Sequence, residues 1–304
     1  MPELPEVETT VRDLKMAKPP IVGAKFINVW TDFEKMIHLF LEEGKKRKVK
    51  TFEEFKKEIK GREIQRIWRR GKNICFDLSG GKILLIHQKL TGHLLLGEWE
   101  RKEGKWVAKV PGPLSSDPMN KFLHLIFWLD NGKMLALSDL RKFAKVELWE
   151  RERLKESKEF KSLGPEPLES SFTFKKFKEC LKGKKGEIKK VLMDQTVIAG
   201  IGNIYSSEIL WEARVYPFKK IPQLSEEELR RIYKAIKSVL RRAIEAKGES
   251  ISDFRRISGE KGGFTSLRKV YRREGEECLR CGTLIKKLQL GGRSAYFCPK
   301  CQQP

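Results

Sequence analysis

The sequence lacks the long apolar runs and the cysteine density that mark membrane proteins and small secreted proteins. No stretch approaches the roughly eighteen apolar residues that a transmembrane helix needs. The acidic, proline-bearing start lacks the basic and apolar regions of a signal peptide. Six cysteines in 304 residues do not indicate a disulfide framework in a reducing compartment. We therefore expect a cytoplasmic protein, associated with the nucleoid if it binds DNA, that has no membrane partner.

Acidic residues are too few to balance the basic ones. Lys and Arg number 64 against 41 Asp and Glu, which gives a formal net charge of +23. This excess favours a polyanionic partner, because basic side chains that neutralise phosphates release the counterions condensed on DNA. The alternative is a solvated Lys/Glu-rich surface of the kind that thermophilic proteins use. Both can hold, since charged residues are 35% of the chain.

The first residues predict an amphipathic helix with reactive groups at its positive end. Four apolar residues recur there at helical spacing, namely Leu4, Val7, Val11 and Leu14. Pro5 suits the first helical turn, so Pro2 and Glu3 lie just before it, where the macrodipole disfavours a protonated amine. If Met1 is removed, Pro2 becomes a secondary amine that can attack an aldehyde, and Glu3 can exchange protons beside it. On residue types alone, an ordinary acidic helix start is the more common alternative.

The pattern along the chain divides it into a β-rich part and a helical part. Short alternating segments between residues 20 and 150 predict a β-sandwich or barrel, with a hairpin turn at 130–132. Apolar residues at helical spacing within 31–60 predict a helical hairpin. A charged segment with glycine and prolines at 151–171 predicts a linker, and the chain becomes helical after it.

Two Cys-x-x-Cys pairs near the end of the chain form a strong zinc signature. Sixteen residues separate the pairs, whose members are Cys278, Cys281, Cys298 and Cys301. Four thiolates fill a tetrahedral coordination sphere and leave no position for water, so we expect one structural Zn²⁺. A redox dithiol is the weaker alternative, because redox centres rarely occur as such a matched pair.

These segments resemble the formamidopyrimidine-DNA glycosylases, which excise oxidised bases with an N-terminal proline nucleophile. The opening PELPEVE resembles the start of that family, and residues 69–92, 139–143 and 163 onwards match it as well. Residues 193–205 resemble its helix-two-turn-helix motif. The resemblance implies an α+β fold with a catalytic β-sandwich domain and its N-terminal helix at 1–150, a helix-two-turn-helix domain with a lesion loop at 172–263, and a zinc-finger hairpin at 264–304. The family has a shorter connection at 31–60, which makes the helical hairpin an insertion.

The resemblance also implies roles for individual residues. Pro2 would be the nucleophile, Glu3 would move protons, and Lys72 would grip phosphates beside the lesion. The residues implied to contact DNA are Lys72, Leu90, Arg141, Phe143, Asn203 and Arg293. The residues implied to line the base pocket are Ser250, Ile251 and Tyr271. Leu90 replaces the usual methionine with a side chain of similar volume. By residue type alone, Arg141 and Phe143 read as a surface ion pair and a core phenylalanine.

The function that the resemblance implies is a bifunctional DNA glycosylase and abasic-site lyase. Such an enzyme removes oxidised purines, 8-oxoguanine and formamidopyrimidines, and cleaves the strand by β,δ-elimination through a Schiff base. Its partner would be duplex DNA with oxidised bases or abasic sites, and it would act as a monomer. One alternative is an oxidised-pyrimidine glycosylase of the endonuclease VIII type, which usually begins Pro-Glu-Gly-Pro-Glu, whereas Leu4 stands here. The other is a non-catalytic zinc-finger protein that binds damaged DNA, against which the presence of Pro2, Glu3 and Lys72 speaks.

Overall fold

The computed structural model describes residues 1–40, 47–48, 52–250 and 253–304 of the chain. These residues divide into two compact units. Unit 1 contains Met1–Lys161 and Lys247–Gly263, and unit 2 contains Ser162–Ala246 and Phe264–Pro304. Among the described residues, no helix has both the length and the apolar content to cross a membrane.

The elements of unit 1 are mostly short strands. In chain order they are α1 (Leu4–Lys15), β1 (Phe26–Thr31), β2 (Ile37–Phe40), β3 (Arg47–Lys48), α2 (Phe52–Ile59), β4 (Ile64–Arg70), β5 (Asn73–Leu78), β6 (Lys82–His87), β7 (His93–Gly97), β8 (Trp99–Lys102), β9 (Lys105–Ala108), α3 (Pro113–Ser116), β10 (Leu123–Leu129), β11 (Met134–Ser138), β12 (Lys145–Glu150), α4 (Arg151–Glu156) and α5 (Lys158–Lys161).

Two of the sheets in unit 1 form a sandwich. One has the strand order β1-β10-β11-β7 and the other β3-β2-β12-β6-β5-β4. A single apolar cluster contains buried side chains from both sheets together with residues of α1 and α2, such as Val29, Leu84, Val11 and Phe55. Alternating residues of each strand supply this cluster, because successive side chains of a strand point to opposite faces. The predicted β-sandwich with an N-terminal helix is confirmed.

The predicted helical hairpin at 31–60 is wrong in its first half. Residues Ile37–Phe40 form strand β2, which runs parallel to β12 and pairs Phe40 with Trp149. These two rings stack with centroids 3.7 Å apart. A short apolar run fits a helix and a strand equally well, and here pairing with a sheet decided the outcome. The second half is helical as expected (α2), whereas Leu41 lies outside the described residues.

Two segments also differ from the predicted domain boundaries. Residues 151–161, expected to be linker, form α4 and α5, and Leu154 packs in a cluster with Cys75 and Leu85 of the sheet. The segment 247–263, expected to belong with the helical domain, belongs to unit 1. Its Ile257 is part of the sandwich core, and its carbonyl accepts a 2.8 Å hydrogen bond from the Leu96 N–H.

Unit 2 combines helices with a terminal hairpin. Its elements are α6 (Phe174–Leu181), α7 (Ile188–Met193), α8 (Asn203–Glu212), α9 (Glu226–Glu245), β13 (Lys286–Leu290) and β14 (Arg293–Phe297). Ser225-x-x-Glu228 is the sequence pattern of a capping box, and α9 begins with one, because the Ser225 hydroxyl and the Glu228 carboxylate each accept the other residue's N–H. The strands β13 and β14 pair antiparallel and form a β-hairpin, which follows the helices in the chain.

Candidate active site and nucleic-acid interface

The start of α1 places two buried carboxyl groups beside the amino terminus. Glu3 is the N-cap of the helix, and its N–H donates a 2.8 Å hydrogen bond to Glu6 Oε2. Only 2% of Glu3 and 1% of Glu6 is exposed, which is rare for glutamate and needs compensating contacts. The predicted helix start is confirmed, but Glu6 was not identified as a site residue from the sequence. The sequence feature that could have identified Glu6 is its position three residues after the N-cap, where a glutamate completes a capping box.

Burial lowers the pKa of the amino terminus below its usual value. The carboxylates of Glu3, Glu6 and Asp253 act in the opposite direction, and the positive charge of Lys72 lowers the pKa further. Lys72 therefore acts on the amine at the helix start, although it lies 69 positions after Glu3 in the sequence. A lowered pKa leaves more of the amine unprotonated near neutral pH, which is the form that attacks carbon.

Lys72 reaches this site from the turn between β4 and β5. Gly71 adopts a φ of 57°, a left-handed conformation that glycine adopts without strain, and Arg70 pairs with Asn73 across the turn. By residue type, a lysine in a turn is usually solvated, but only 6% of Lys72 is exposed. Lys72 also helps to hold the pKa of His87 low, at about 3, although burial is the main cause.

Glu6 also connects α1 to the segment 247–263. Its second carboxylate oxygen accepts a 2.8 Å hydrogen bond from the Glu249 N–H. Gly248 has a φ of +80°, and a Cβ there would lie 3.0 Å from Glu6 Oε1, so this approach requires glycine. The Ser250 hydroxyl accepts the Gly262 N–H at 2.8 Å and closes the segment on itself. The predicted pocket residue Ile251 lies outside the described residues.

Two loops at the edge of the sandwich carry the residues expected to fill the space of an everted base. Leu90 is half-buried and follows Lys89, which has a φ of 54°. Phe143 is 49% exposed and follows Lys142, which has a φ of 57°. The core alternative for Phe143 is therefore wrong. A large exposed aromatic side chain on a conformationally fixed loop is available to enter a base stack.

Arg141 and its loop are fixed by a buried carboxylate. The Arg141 guanidinium carbon lies 4.9 Å from the centroid of the Phe143 ring. Asp139, which is fully buried, accepts the Ala144 N–H at 2.7 Å and the Arg141 N–H at 3.3 Å. Asp139 therefore fixes the backbone of this loop from its buried side, and the side chains of Arg141 and Phe143 remain exposed.

In unit 2, the turn before α8 presents Asn203 at the start of a helix. Asparagine is a favourable N-cap residue, which predicts Asn203 at that position, but Gly202 is the N-cap and Asn203 the first helical residue. The side-chain oxygen of Asn203 has no hydrogen-bond partner in the described part of the chain. The Gln195 amide braces the glycine turn by donating to the Ile201 carbonyl at 2.7 Å and accepting the Gly200 N–H at 2.8 Å.

A buried lysine supports the same helix start. Lys189 is fully buried, and its ammonium group donates to Ser206 and Ser207 hydroxyls at 2.8 Å each and to the Asn203 carbonyl at 3.1 Å. Sequence reasoning missed Lys189, because it lies in a lysine-rich stretch with no pattern that separates it from its solvated neighbours. Its three bonds fix the first turn of α8 and thereby the position of Asn203.

Glu208, a buried residue of α8, fixes the backbone of the segment that precedes the hairpin. Glu208 accepts three consecutive backbone N–H groups, from Lys269 at 2.8 Å, Val270 at 3.0 Å and Tyr271 at 2.8 Å. Burial raises the pKa of Glu208, and these hydrogen bonds oppose that rise. The Tyr271 ring meets the Tyr296 ring edge-on at 5.2 Å, so this predicted pocket residue packs on the hairpin.

The four predicted zinc ligands converge. The Sγ atoms of Cys278, Cys281, Cys298 and Cys301 all lie within 4.8 Å of one another. Cys281 Sγ lies 3.5 Å from Cys298 and 3.4 Å from Cys301, and Cys278 lies 4.0 Å from Cys301. A tetrahedral zinc with Zn–S bonds of about 2.3 Å requires S–S separations of about 3.8 Å, so the donor set fits one structural Zn²⁺. The Trp211 indole N–H donates to Cys278 Sγ at 3.4 Å and orients that ligand.

The hairpin held by this cluster exposes Arg293 at its tip. Leu290 pairs with Arg293, and the two turn residues Gly291 and Gly292 have φ values of 57° and 73°. Such values are those of a tight hairpin turn, and glycine adopts them without strain. The Arg293 side chain is exposed at the end of β14, which suits a phosphate contact.

Comparisons with known proteins cover the whole chain. Residues 1–146 match the formamidopyrimidine-DNA glycosylase N-terminal domain, residues 163–255 match the formamidopyrimidine-DNA glycosylase H2TH domain, and residues 275–304 match the zinc finger found in FPG and IleRS. Formamidopyrimidine-DNA glycosylases from Pelotomaculum thermopropionicum and Streptococcus pneumoniae are each 37% identical over 303 residues, covering 100% of this chain and 99% of the relative.

Solved structures show the same similarity. The Lactococcus lactis Fpg in complex with abasic-site DNA aligns with a TM-score of 0.82 at 33% identity, covering 99% of this chain and 100% of that one. A MutM in complex with DNA containing carbocyclic 8-oxo-G aligns with a TM-score of 0.82 at 34% identity, with both chains fully covered.

Proposed function

The chain belongs to the formamidopyrimidine-DNA glycosylase family, and we propose that it excises oxidised purines from duplex DNA and cleaves the strand at the resulting abasic site. The observation that carries this proposal is the buried start of α1, where Pro2, Glu3 and Glu6 lie together and where burial lowers the pKa of the Met1 amine. Once Met1 is removed, the amine belongs to Pro2, which is buried in the same surroundings. The partner is duplex DNA with oxidised bases or abasic sites. The protein acts in the cytoplasm, at the nucleoid.

The first step joins Pro2 to the damaged nucleotide. The unprotonated amine attacks C1′ of the deoxyribose, the N–C1′ bond forms, and the glycosidic bond breaks with its electron pair leaving on the base. A proton is lost from the secondary amine and a proton is gained by the leaving groups. Glu3 is placed to carry these protons because it lies one residue from Pro2.

Strand cleavage follows from the iminium that forms when the sugar ring opens. The cationic nitrogen makes the C2′ proton acidic, its removal expels the 3′ phosphate, and a further elimination expels the 5′ phosphate. Hydrolysis of the iminium then releases Pro2. Lys72 supplies positive charge to the phosphates near this centre and adds to the effect of burial, the main cause of the low pKa of the amino-terminal amine. No redox cofactor enters these steps, and Zn²⁺ serves only the hairpin.

DNA contacts outside the reaction centre come from both units. We propose that Leu90, Arg141 and Phe143 occupy the space of the everted nucleotide, which their loops and the exposure of Phe143 support. Asn203, at the start of α8, and Arg293, at the hairpin tip, bind phosphates, since helix starts and exposed guanidinium groups suit anions.

The test is an excision assay on duplexes that each carry one defined lesion. We expect release of 8-oxoguanine and formamidopyrimidines with strand cleavage at the same position. The panel must include an oxidised pyrimidine, because a Lactococcus lactis FPG has been solved with DNA that contains one. Preferential release of the pyrimidine would favour the endonuclease VIII type, and binding without any release would favour the non-catalytic alternative.

A further inference from the structure

Unit 1 contains a second recess, formed by the β8–β9 hairpin and the start of β10. Its volume is about 630 Å³, within the roughly 300–1,000 Å³ typical of small-ligand sites. Three tryptophans, Trp30, Trp99 and Trp106, line it. Trp30 and Trp106 are only half-buried, so part of their indole surface remains accessible. We call this recess the tryptophan pocket.

A buried donor within the tryptophan pocket has no partner. The indole nitrogen of Trp106 is inaccessible to solvent and makes no hydrogen bond in the described part of the chain. The Trp106 ring meets Trp30 at 5.2 Å and Trp128 at 5.7 Å, both edge-on. Since a buried N–H without a partner costs free energy, a ligand that brings an acceptor is favoured there.

The rim of the tryptophan pocket is basic. Arg101, Lys105 and Lys121 line it, and all three are exposed. Its one acidic group is Asp32, whose carboxylate lies 2.8 Å from Nδ1 of His124. The charge balance therefore favours an anionic ligand that also has a flat aromatic surface.

The tryptophan pocket also adjoins the loop expected to touch DNA. Phe122, which lines the pocket, accepts a 2.9 Å hydrogen bond from the Asp139 N–H through its carbonyl. Asp139 in turn holds the backbone of Arg141. One buried carboxylate residue, Asp139, therefore joins the wall of the pocket to the Arg141 loop.

We propose that the tryptophan pocket binds one unpaired nucleobase of single-stranded DNA. The base stacks on the accessible indole surface of Trp106 and Trp30, and the flanking phosphates lie against Lys105 and Lys121. Binding shifts the Trp106 ring enough for a ring nitrogen or carbonyl of the base to accept its N–H. Stacking on aromatic side chains along a basic path is how proteins hold single strands without sequence preference. This site is separate from the excision chemistry and does not depend on it.

The experiment compares a thymidine tetranucleotide with the same chain built from tetrahydrofuran units, which have neither a base nor an aldehyde that the amine could attack, by fluorescence anisotropy with the full-length protein. We expect the base-bearing strand to bind at least about fivefold more tightly, the lower end for one stacked base. Trp106→Leu should abolish that ratio, and Lys105→Ala should weaken both ligands. Lys102→Ala is the matched control, because Lys102 lies on the same hairpin but does not line the pocket.

Photocrosslinking locates the base independently of the variants. A tetranucleotide with one 5-iodouracil should crosslink to peptides that contain Trp30 or Trp106. If Trp106→Leu disturbs folding, seen as a lowered thermal midpoint, the proposal is tested instead by the crosslink map and by the comparison of Lys105→Ala with Lys102→Ala. An unchanged base preference in a folded Trp106 variant, or crosslinks confined to other parts of the chain, would overturn the proposal. Borohydride trapping on abasic-site DNA should be unaffected in every pocket variant, which separates this site from the proposed function.

Discussion

The hydroxyl of Thr91 donates a hydrogen bond to the carboxylate of Asp139, and this contact joins the loop that carries Leu90 to the loop that carries Arg141 and Phe143. The same hydroxyl oxygen accepts the Arg141 N–H at 3.0 Å. Both partners are almost completely buried. The two loops expected to enter the DNA therefore share one polar anchor, and their spacing is set by it.

Replacing Thr91 with valine removes this anchor while keeping the shape of the side chain. We expect excision from duplex DNA to fall by roughly tenfold or more, because small misplacements of positioning residues are costly. Stability should fall by about 1–3 kcal/mol, since Asp139 loses a buried partner. Single-turnover excision and urea unfolding measure the two effects.

Thr9→Val is the control for that substitution. Thr9 is also buried, but its hydroxyl has no hydrogen-bond partner in the described part of the chain. This variant should keep both activity and stability. If Thr91→Val excises as well as the unchanged protein, the anchor does not set the loop geometry.

Covalent trapping tests the nucleophile. Borohydride reduces an iminium, so it should link the protein to abasic-site DNA through Pro2 once Met1 has been removed. Peptide mass spectrometry should find the adduct on the amino-terminal peptide. Protein that retains Met1 serves as the control and should trap poorly. An adduct on a lysine side chain would assign the chemistry to a different residue.

The pH dependence of abasic-site cleavage should report the pKa of the amine. The unprotonated amine reacts, so the rate rises with pH and levels off above the pKa. The positive charge of Lys72 lowers the pKa of the Met1 amine. We expect the same effect on the Pro2 amine, so Lys72→Met should move the rising limb to higher pH. The negative charge of Glu6 raises the pKa, and Glu6→Gln should move the limb to lower pH. Shifts in the same direction for both variants would contradict this electrostatic origin.

Zinc removal should impair DNA binding by disordering the hairpin. The four cysteines lie in an apolar cluster with Trp211, Val270, Ile285 and Tyr296. Zinc would join the two Cys-x-x-Cys turns at the centre of this cluster, so its binding free energy contributes to the folding of the segment. We expect chelation to weaken DNA affinity while the sandwich keeps its circular dichroism. Arg293→Ala should lower the slope of log affinity against log salt by about 0.9, the value for one phosphate contact.

Lys287→Ala is the matched control for Arg293. Lys287 lies on the same hairpin, away from its tip, and its ammonium group pairs with Glu274 at 3.5 Å. Its removal should leave the salt slope nearly unchanged. Full DNA affinity after verified loss of zinc would contradict the structural role of the metal.

The sequence by itself determined the features whose cause is local. The capping box at Ser225, the start of α1 and the tight turn at Gly291 and Gly292 each depend on residues within a few positions of one another. The two Cys-x-x-Cys pairs are also local, since each pair fixes two thiolates within one turn. The nearly continuous family resemblance added the assignment of Pro2.

Only the tertiary structure decided the features that depend on partners distant in the chain. Residues Ile37–Phe40 became a strand because β12, more than a hundred residues later, offered a free sheet edge. Lys72 is buried rather than solvated because α1 lies beside its turn. Glu6 joins α1 to the segment 247–263 because its carboxylate accepts the Glu249 N–H. The energy of each contact arises only after the chain has folded, so neither periodicity nor residue type in the sequence records it.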